Sequence, residues 1–335
     1  MTSTVGAGTL KSRRIRRVKE KSFRGLLFSF SFILPALLLG LVAFLAINAW
    51  PAMQLNGLGF LVSNDWNLGS QYGTPITVDG LQILPGASYG VLFLIVGTLA
   101  SSAIALFFAV PIGLAAAVFI AEVIPEKARD VVAAVVELLA AVPSVVFGLW
   151  GYVIVIPFFA HYVYPVMAHA LGFIPFFGGP VGSGYGLLTS GVVLALMVVP
   201  IITANVREAI SAVPRSDVEA GRALGATHFE VVRRVVLPQV KRALIGVTIL
   251  GLGRALGETM AVLMVSGNAL HLPANVYSPV STMAAFIVSQ LDSALQDPTG
   301  MAVNSLTEIG LILLIITVAL NGFARLLMLG MRNER

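Results

Sequence analysis

The chain has no cysteine, which excludes disulfides, thiolate catalysis and cysteine-bound metals, and its four histidines show no ligand spacing. Only 11% of its 335 residues are charged, against about 25% in ordinary soluble domains. A soluble domain of any size is therefore excluded. Between Glu137 and Arg207 there is no Asp, Glu, Lys or Arg at all. No Gly-x-x-x-x-Gly-Lys-Ser/Thr loop occurs; the nearest look-alike, Gly6 to Ser12, lacks the glycine before Lys11, so any ATP must be bound by another chain. A nucleophile paired with a base is missing too, which argues against an intramembrane enzyme. Gly251, Gly253 and Gly257 miss the dinucleotide spacing and sit in an apolar run, where small residues serve close helix packing.

What the chain has is hydrophobicity, at 57% of residues with a mean hydropathy of +0.92. A membrane-spanning helix needs about 20 apolar residues. Six runs qualify, over 26–48, 87–120, 131–159, 187–206, 243–267 and 303–327. The expected fold class is an all-α membrane protein, a bundle of six transmembrane helices. Of 21 Lys and Arg, eight precede residue 25, two are Lys127 and Arg129, seven run from Arg207 to Arg242, and Arg325, Arg332 and Arg335 lie at the far end. Basic residues stay on the cytoplasmic side. With six crossings all twenty fall on one side, which predicts both termini in the cytoplasm and outer loops at 49–86, 160–186 and 268–302. The remaining one is Arg254.

The organisation that follows is a basic, poorly ordered segment over 1–24 lying near anionic lipid headgroups, a first helix and outer loop over 25–86, and a main transmembrane domain over 87–330. The first apolar run exceeds the 7 to 15 residues of a signal-peptide core, so it reads as a retained helix. A net charge of +5 is what basic inner loops produce without nucleic acid. Trp50 and Trp66, with Pro51, Pro75 and Pro85, suit interfacial anchoring and a packed first outer loop, and a re-entrant stretch around Phe173 to Phe177 is an option for the second.

One polar stretch, 214–238, interrupts the apolar pattern. Ser216 to Glu219 reads as a capping box, Gly225 as a left-handed helix stop, and Thr227 to Glu230 as a second box, with Pro238 opening the next element. Two short helices on the cytoplasmic side are predicted, too short and too hemmed in by membrane spans to read a DNA groove. By pattern alone a plain solvated connector fits as well.

Glu219, Ala220, Gly221, then Gly225, then Val235 to Pro238 resemble the EAA motif of ABC importer permeases, with Gly221 in place of the motif's second Ala and Val235 in place of its Ile. The stretches GLGRALGETMAV over 251–262 and ELLAAVPSVVFGLWG over 137–151 are similar to phosphate importer permeases of the PstC type, over roughly 87–330. The resemblance implies a type I importer fold in a bacterial inner membrane, with no cofactor of its own. It also implies a second homologous permease (PstA-like), two ATPase subunits (PstB-like) that receive the coupling helix through Glu219, Ala220, Gly221, Gly225 and Pro238, and an extracytoplasmic phosphate-binding protein (PstS-like). The sister PstA permease, and permeases for sulfate or molybdate, are the alternatives within that class. Outside it stands a self-sufficient channel or secondary transporter.

Arg254 is the residue whose chemistry asks for explanation. It lies twelve residues past Arg242, about 18 Å along a helix, and a charge at that depth costs at least about 2.5–3.5 kcal/mol. Glu258 follows at i+4, so an uninterrupted helix places both on one face as a mutually neutralising pair. A guanidinium fork matches phosphate oxygens, and a neighbouring carboxylate lets the site release its cargo. Arg254 and Glu258 are the candidate pathway residues, against the plainer reading of a buried pair that glues helices together. Glu137 is expected to pair with a basic residue of a neighbouring helix.

Overall fold

The computed structural model describes residues 6–70 and 73–330; the calls on Arg332 and Arg335 lie outside the described residues. Six helices among them are long and apolar enough to cross a membrane. In chain order the elements are α1 (Gly6–Asn56), α2 (Gly59–Val62), β1 (Trp66–Asn67), β2 (Ile76–Val78), β3 (Leu81–Ile83) and β4 (Ser88–Tyr89). Then come α3 (Leu92–Val123), α4 (Glu126–Ala140), α5 (Ser144–Leu171) and α6 (Leu187–Ser211). The remainder are α7 (Arg215–Ala223), α8 (His228–Gly257), α9 (Met260–Val265), α10 (Met283–Leu295) and α11 (Met301–Gly330).

α6 is the axis of the bundle, with 72% of its apolar window buried. It packs along α3, and the two approach closely because glycines face β-branched side chains. A Cβ at Gly113 would lie 2.7 Å from Ile202 Cγ2, and Thr203 Oγ1 donates to the Gly113 carbonyl at 3.3 Å. Ala105, Ala109, Ala117, Val198, Ile202 and Val240 fill this seam and carry it to α8. Gly113→Val overpacks the seam and is expected to cost about 1–3 kcal/mol. Thermal loss of monodisperse protein in detergent should come at a clearly lower temperature than in Gly40→Ala, where a Cβ meets nothing within 4 Å.

Several expectations are corrected. The basic N-terminal segment is not coil: α1 runs back to Gly6, since no proline lies between Gly6 and Pro35 and the many Lys, Arg and Leu residues there favour a helix. The third apolar run is split at Val142–Pro143, because a residue before proline is driven out of the helical region; Pro143 has ψ 139°. The amphipathic α4, carrying Glu126, Lys127, Arg129 and Asp130, becomes a separate element, and the crossing helix α5 runs on to Leu171. The stretch from Phe173 to Phe177 forms turns, with Phe177 N–H donating to Ile174 O, and makes no re-entrant helix.

The segments 49–86 and 268–302 are more structured than a loop reading suggested. β2 and β3 pair as a hairpin with Val78 opposite Leu81, turned by Asp79 and Gly80 at φ +51° and +81°, the signature of a type I′ turn. β1 pairs with β4, and Trp66 is not an interfacial anchor. It is buried, edge-on to Tyr89 at 5.2 Å and Phe286 at 5.0 Å, whereas Trp50 is exposed. Burial and the nearby Asp297 carboxylate push the Tyr89 phenol up. The segment 268–302 is not a plain loop: its α10 is about 20 Å long, too short to span, and buries Met283 through Phe286. Asp297 accepts from Thr299 N and Ala302 N, both at 2.9 Å, and so caps the start of α11.

Candidate functional site

The segment between α6 and the body of α8 is built from local capping chemistry. Pro214 precedes α7 at φ −58° with no side-chain cap. This overturns the first expected capping box: Pro214 takes the N-cap position with ψ 128° and the helix starts at Arg215, so Ser216 falls inside it and its hydroxyl turns to Asp217. At the other end Gly225 has φ +83°. Its N–H donates to Arg222 O at 2.9 Å, and Ala226 N–H to Gly221 O at 3.2 Å, a Schellman stop. Gly221 is also where α7 meets α8, since a Cβ there would lie 3.2 Å from Val231 Cγ2.

The second box is present. Thr227 Oγ1 accepts from Glu230 N at 3.3 Å while Glu230 Oε2 accepts from Thr227 N at 2.9 Å. The helix it starts does not end at Leu237. Residues 232–236 form one π turn, closed by Leu237 N–H on Val232 O, and this wider turn absorbs Pro238, whose ring and missing N–H disturb an ordinary turn. Pro238 is therefore internal, and α8 is one rod of about 45 Å running from the polar segment into the bundle. Ala220 is exposed, and Leu224 and Phe229, 90% and 68% exposed, present apolar surface at the tip. Glu219 lines a cavity beneath α7 with Arg215, Val218 and Arg222.

Arg254 occupies the last turn of α8, where a cation is favoured by the helix dipole. It is exposed in a groove of about 880 Å³ between α8 and α11, with Leu250, Gly253, Asn321 and Arg325 on its walls. The expected i+4 pair with Glu258 is absent. α8 stops at Gly257 and Glu258 is extended, at φ −71° and ψ 126°, so the two side chains do not share a helical face. No ion pair joins them among the described residues. Glycine, the least helix-favouring residue short of proline, lies where the rod breaks, and Thr259 Oγ1 caps its carbonyl at 3.3 Å. α9 resumes at Met260. Non-helical backbone inside a membrane is tolerated where it is buried in protein or lines a water-filled path. Of the three glycines expected to serve close packing, Gly251 does so, since a Cβ there would lie 2.8 Å from Val198 Cγ1, whereas nothing lies within 4 Å of Gly257.

Glu137, on α4 rather than within a crossing helix, accepts from Arg207 of α6 at 3.0 Å. Its carboxylate is 58% exposed, so the pair contributes about 0.2–1 kcal/mol. Glu137→Gln is expected to leave transport and thermal stability near wild type. Sequence reading missed Glu308, which is 5% exposed between α1 and α11 with Asn56 Nδ2 at 3.4 Å. An acidic residue inside the sixth apolar run was the available signal.

Residues 109–333 match the family described as binding-protein-dependent transport system inner membrane component. The phosphate transport system permease protein PstC 1 of Mycobacterium tuberculosis is 50% identical over 283 residues, 83% of this chain and 84% of that one. The chain belongs to the PstC permeases of that inner-membrane family. PstC of Pasteurella multocida is 38% identical over 329 residues, 97% of this chain and 95% of the other. In fold, the permease resembles a chain of the crystallised bacterial ABC transporter involved in import of the acidic polysaccharide alginate. That match has a TM-score of 0.52 at 16% identity and covers 95% of this chain and 100% of that one. The permease is thus a multi-pass protein of the bacterial inner membrane with an importer-type fold. It is a transport component rather than an enzyme.

Proposed function

We propose that this permease is one of two homologous membrane subunits of an ATP-driven importer of inorganic phosphate, working with two ATPase subunits and an extracytoplasmic phosphate-binding protein. Its basic end, with α7 and both termini, faces the cytoplasm, as retention of Lys and Arg on that side favours. The observation that carries this reading is the placement of Arg254. A fixed cation opens on a groove at the broken end of the same rod whose other end carries the exposed Phe229, next to Leu224 at the end of α7. A motor pushing the polar tip acts on the groove through the Gly225 turn and the α8 rod.

In this reading Arg254 offers its fork to phosphate as the anion passes. Glu258, freed from the helix at the break, and the carbonyls ending α8 limit how tightly the anion is held, because a conducting site must also release. The second permease closes the groove. Glu219, Ala220, Gly221, Gly225 and Pro238 shape the segment that docks on the ATPase. The outer loops contain Asp65, Asp79, Asp292 and Asp297 and no Lys or Arg, so they do not concentrate anions; capture falls to the binding protein. The names of the relatives favour phosphate over sulfate or molybdate, which the same fork would fit.

The test is purification in mild detergent followed by reconstitution. An ATPase and a phosphate-binding protein should co-purify, and vesicles should take up labelled phosphate only with both and with ATP. Phosphate flux through this chain alone would establish a self-sufficient channel instead.

A further inference from the structure

A second cavity, of about 310 Å³, lies at the basic end between the inner face of α7 and the ends of α3, α4 and α6. Its charged lining is Arg129, Arg215 and Arg222 with Glu122 and Glu219, an excess of one positive charge. The carboxylates do not neutralise the guanidinia: among the described residues none of the three arginines is ion-paired to either glutamate. Glu122 instead faces His228 Nε2 at 3.9 Å, and Arg222 donates to His228 Nδ1 at 3.3 Å. Arg129 reaches only the Ile124 carbonyl at 3.5 Å, and its Nε–H is buried with no acceptor. That nitrogen lies away from the open space, but Arg129, Arg215 and Arg222 together line a polar chamber with room for a ligand, and no carboxylate among the described residues closes on any of the three.

From this convergence we infer that the cavity is a binding site for a phosphate group, carried by free inorganic phosphate or by a lipid headgroup. Tetrahedral oxygens supply acceptors for three guanidinia that no carboxylate among the described residues occupies, and guanidinium forks match them in pairs. Glu122 and Glu219 keep the site from being a permanent trap. The bound group bridges α7, through Arg215 and Arg222, to α4, through Arg129, so occupancy stiffens the joint between the polar tip and the bundle. That the ligand arrives from the cytoplasm rests on the orientation proposed above; the binding itself does not.

The test is equilibrium dialysis of the full chain in lipid-free detergent against radiolabelled inorganic phosphate, with every protein carrying Arg254→Gln so that the groove does not contribute, and with Arg129→Gln, Arg215→Gln or Lys127→Gln, the last outside the cavity, added singly. Saturable binding is expected in the Arg254→Gln parent and with Lys127→Gln, and is expected to weaken at least tenfold with Arg129→Gln or Arg215→Gln. Phosphate should raise the melting temperature of the parent in a concentration-dependent way, and do so far less with those two cavity substitutions. Displacement by phosphatidylglycerol identifies a headgroup as the occupant, and failure to displace identifies free phosphate; either supports the site. If Arg129→Gln is not monodisperse, the exposed Arg215→Gln decides alone. Parent affinity in the cavity variants, or no saturable binding in the Arg254→Gln parent, overturns the inference. The uptake assay judges the Arg254 groove separately.

Discussion

Phosphate uptake by a transporter carrying Arg254→Gln is expected to fall roughly 10- to 150-fold, with the assembled complex at wild-type abundance. The magnitude follows from losing a hydrogen bond to a charged partner, about 1.5–3 kcal/mol, where 1.4 kcal/mol is a factor of ten. Stability should change little, because Arg254 is exposed in its groove and no ion pair joins it to Glu258. This separates a pathway role from a structural one: a charge that glued helices would destabilise the chain when removed. Arg254→Lys keeps the charge without the planar fork, so its uptake should lie between the two. Glu258→Gln should retain more phosphate binding than Arg254→Gln while slowing turnover, since it removes the opposing charge that aids release. Wild-type uptake by Arg254→Gln at normal abundance would falsify the proposed role.

Replacing Leu224 with Asp should separate the permease from its motor. Leu224 is 90% exposed at the Gly225 turn, so nothing inside the chain depends on it and folding should be unaffected. If the tip docks in an ATPase groove, burying that leucine contributes about 1.5–3 kcal/mol. A desolvated carboxylate in its place costs more. The variant should accumulate normally in the membrane, lose the co-purifying ATPase, and support no ATP-driven uptake. Gly221→Leu tests the same joint from inside: a side chain there pushes against Val231 and tilts α7 on α8, so coupling should fail while phosphate binding at Arg254 persists. An ATPase retained at full stoichiometry by Leu224→Asp would mean that the tip is not the docking surface.

Some of this architecture is legible in the chain because it follows from local rules. The Thr227 to Glu230 cap and the left-handed Gly225 use neighbours within four residues, so spacing alone finds them. The Asp79–Gly80 hairpin was equally readable, flanked as it is by Val78 and Leu81, and went unrecognised inside a segment treated as loop. The split at Pro143 had its signal in the proline itself. By contrast, nothing local says that Ser216 yields the start of α7 to Pro214, or that α8 carries Pro238 through on a π turn. There, two acceptable local solutions compete and packing against Val231 and α6 selects one.

Composition and the placement of Lys and Arg determined that this is a helical membrane protein with six apolar helices long enough to cross a bilayer and one polar segment between two of them, because hydration of apolar runs and of charges depends on residue type alone. The tertiary structure decided the fate of the central charge. Whether Arg254 meets Glu258 or an open groove depends on where α8 breaks and what lies beside it, and Asn321 and Arg325 reach that groove from α11. The meeting of Arg129, Arg215 and Arg222 around one cavity is decided the same way. Residues that far apart in sequence come together only when the helices pack, and no periodicity along the chain encodes it.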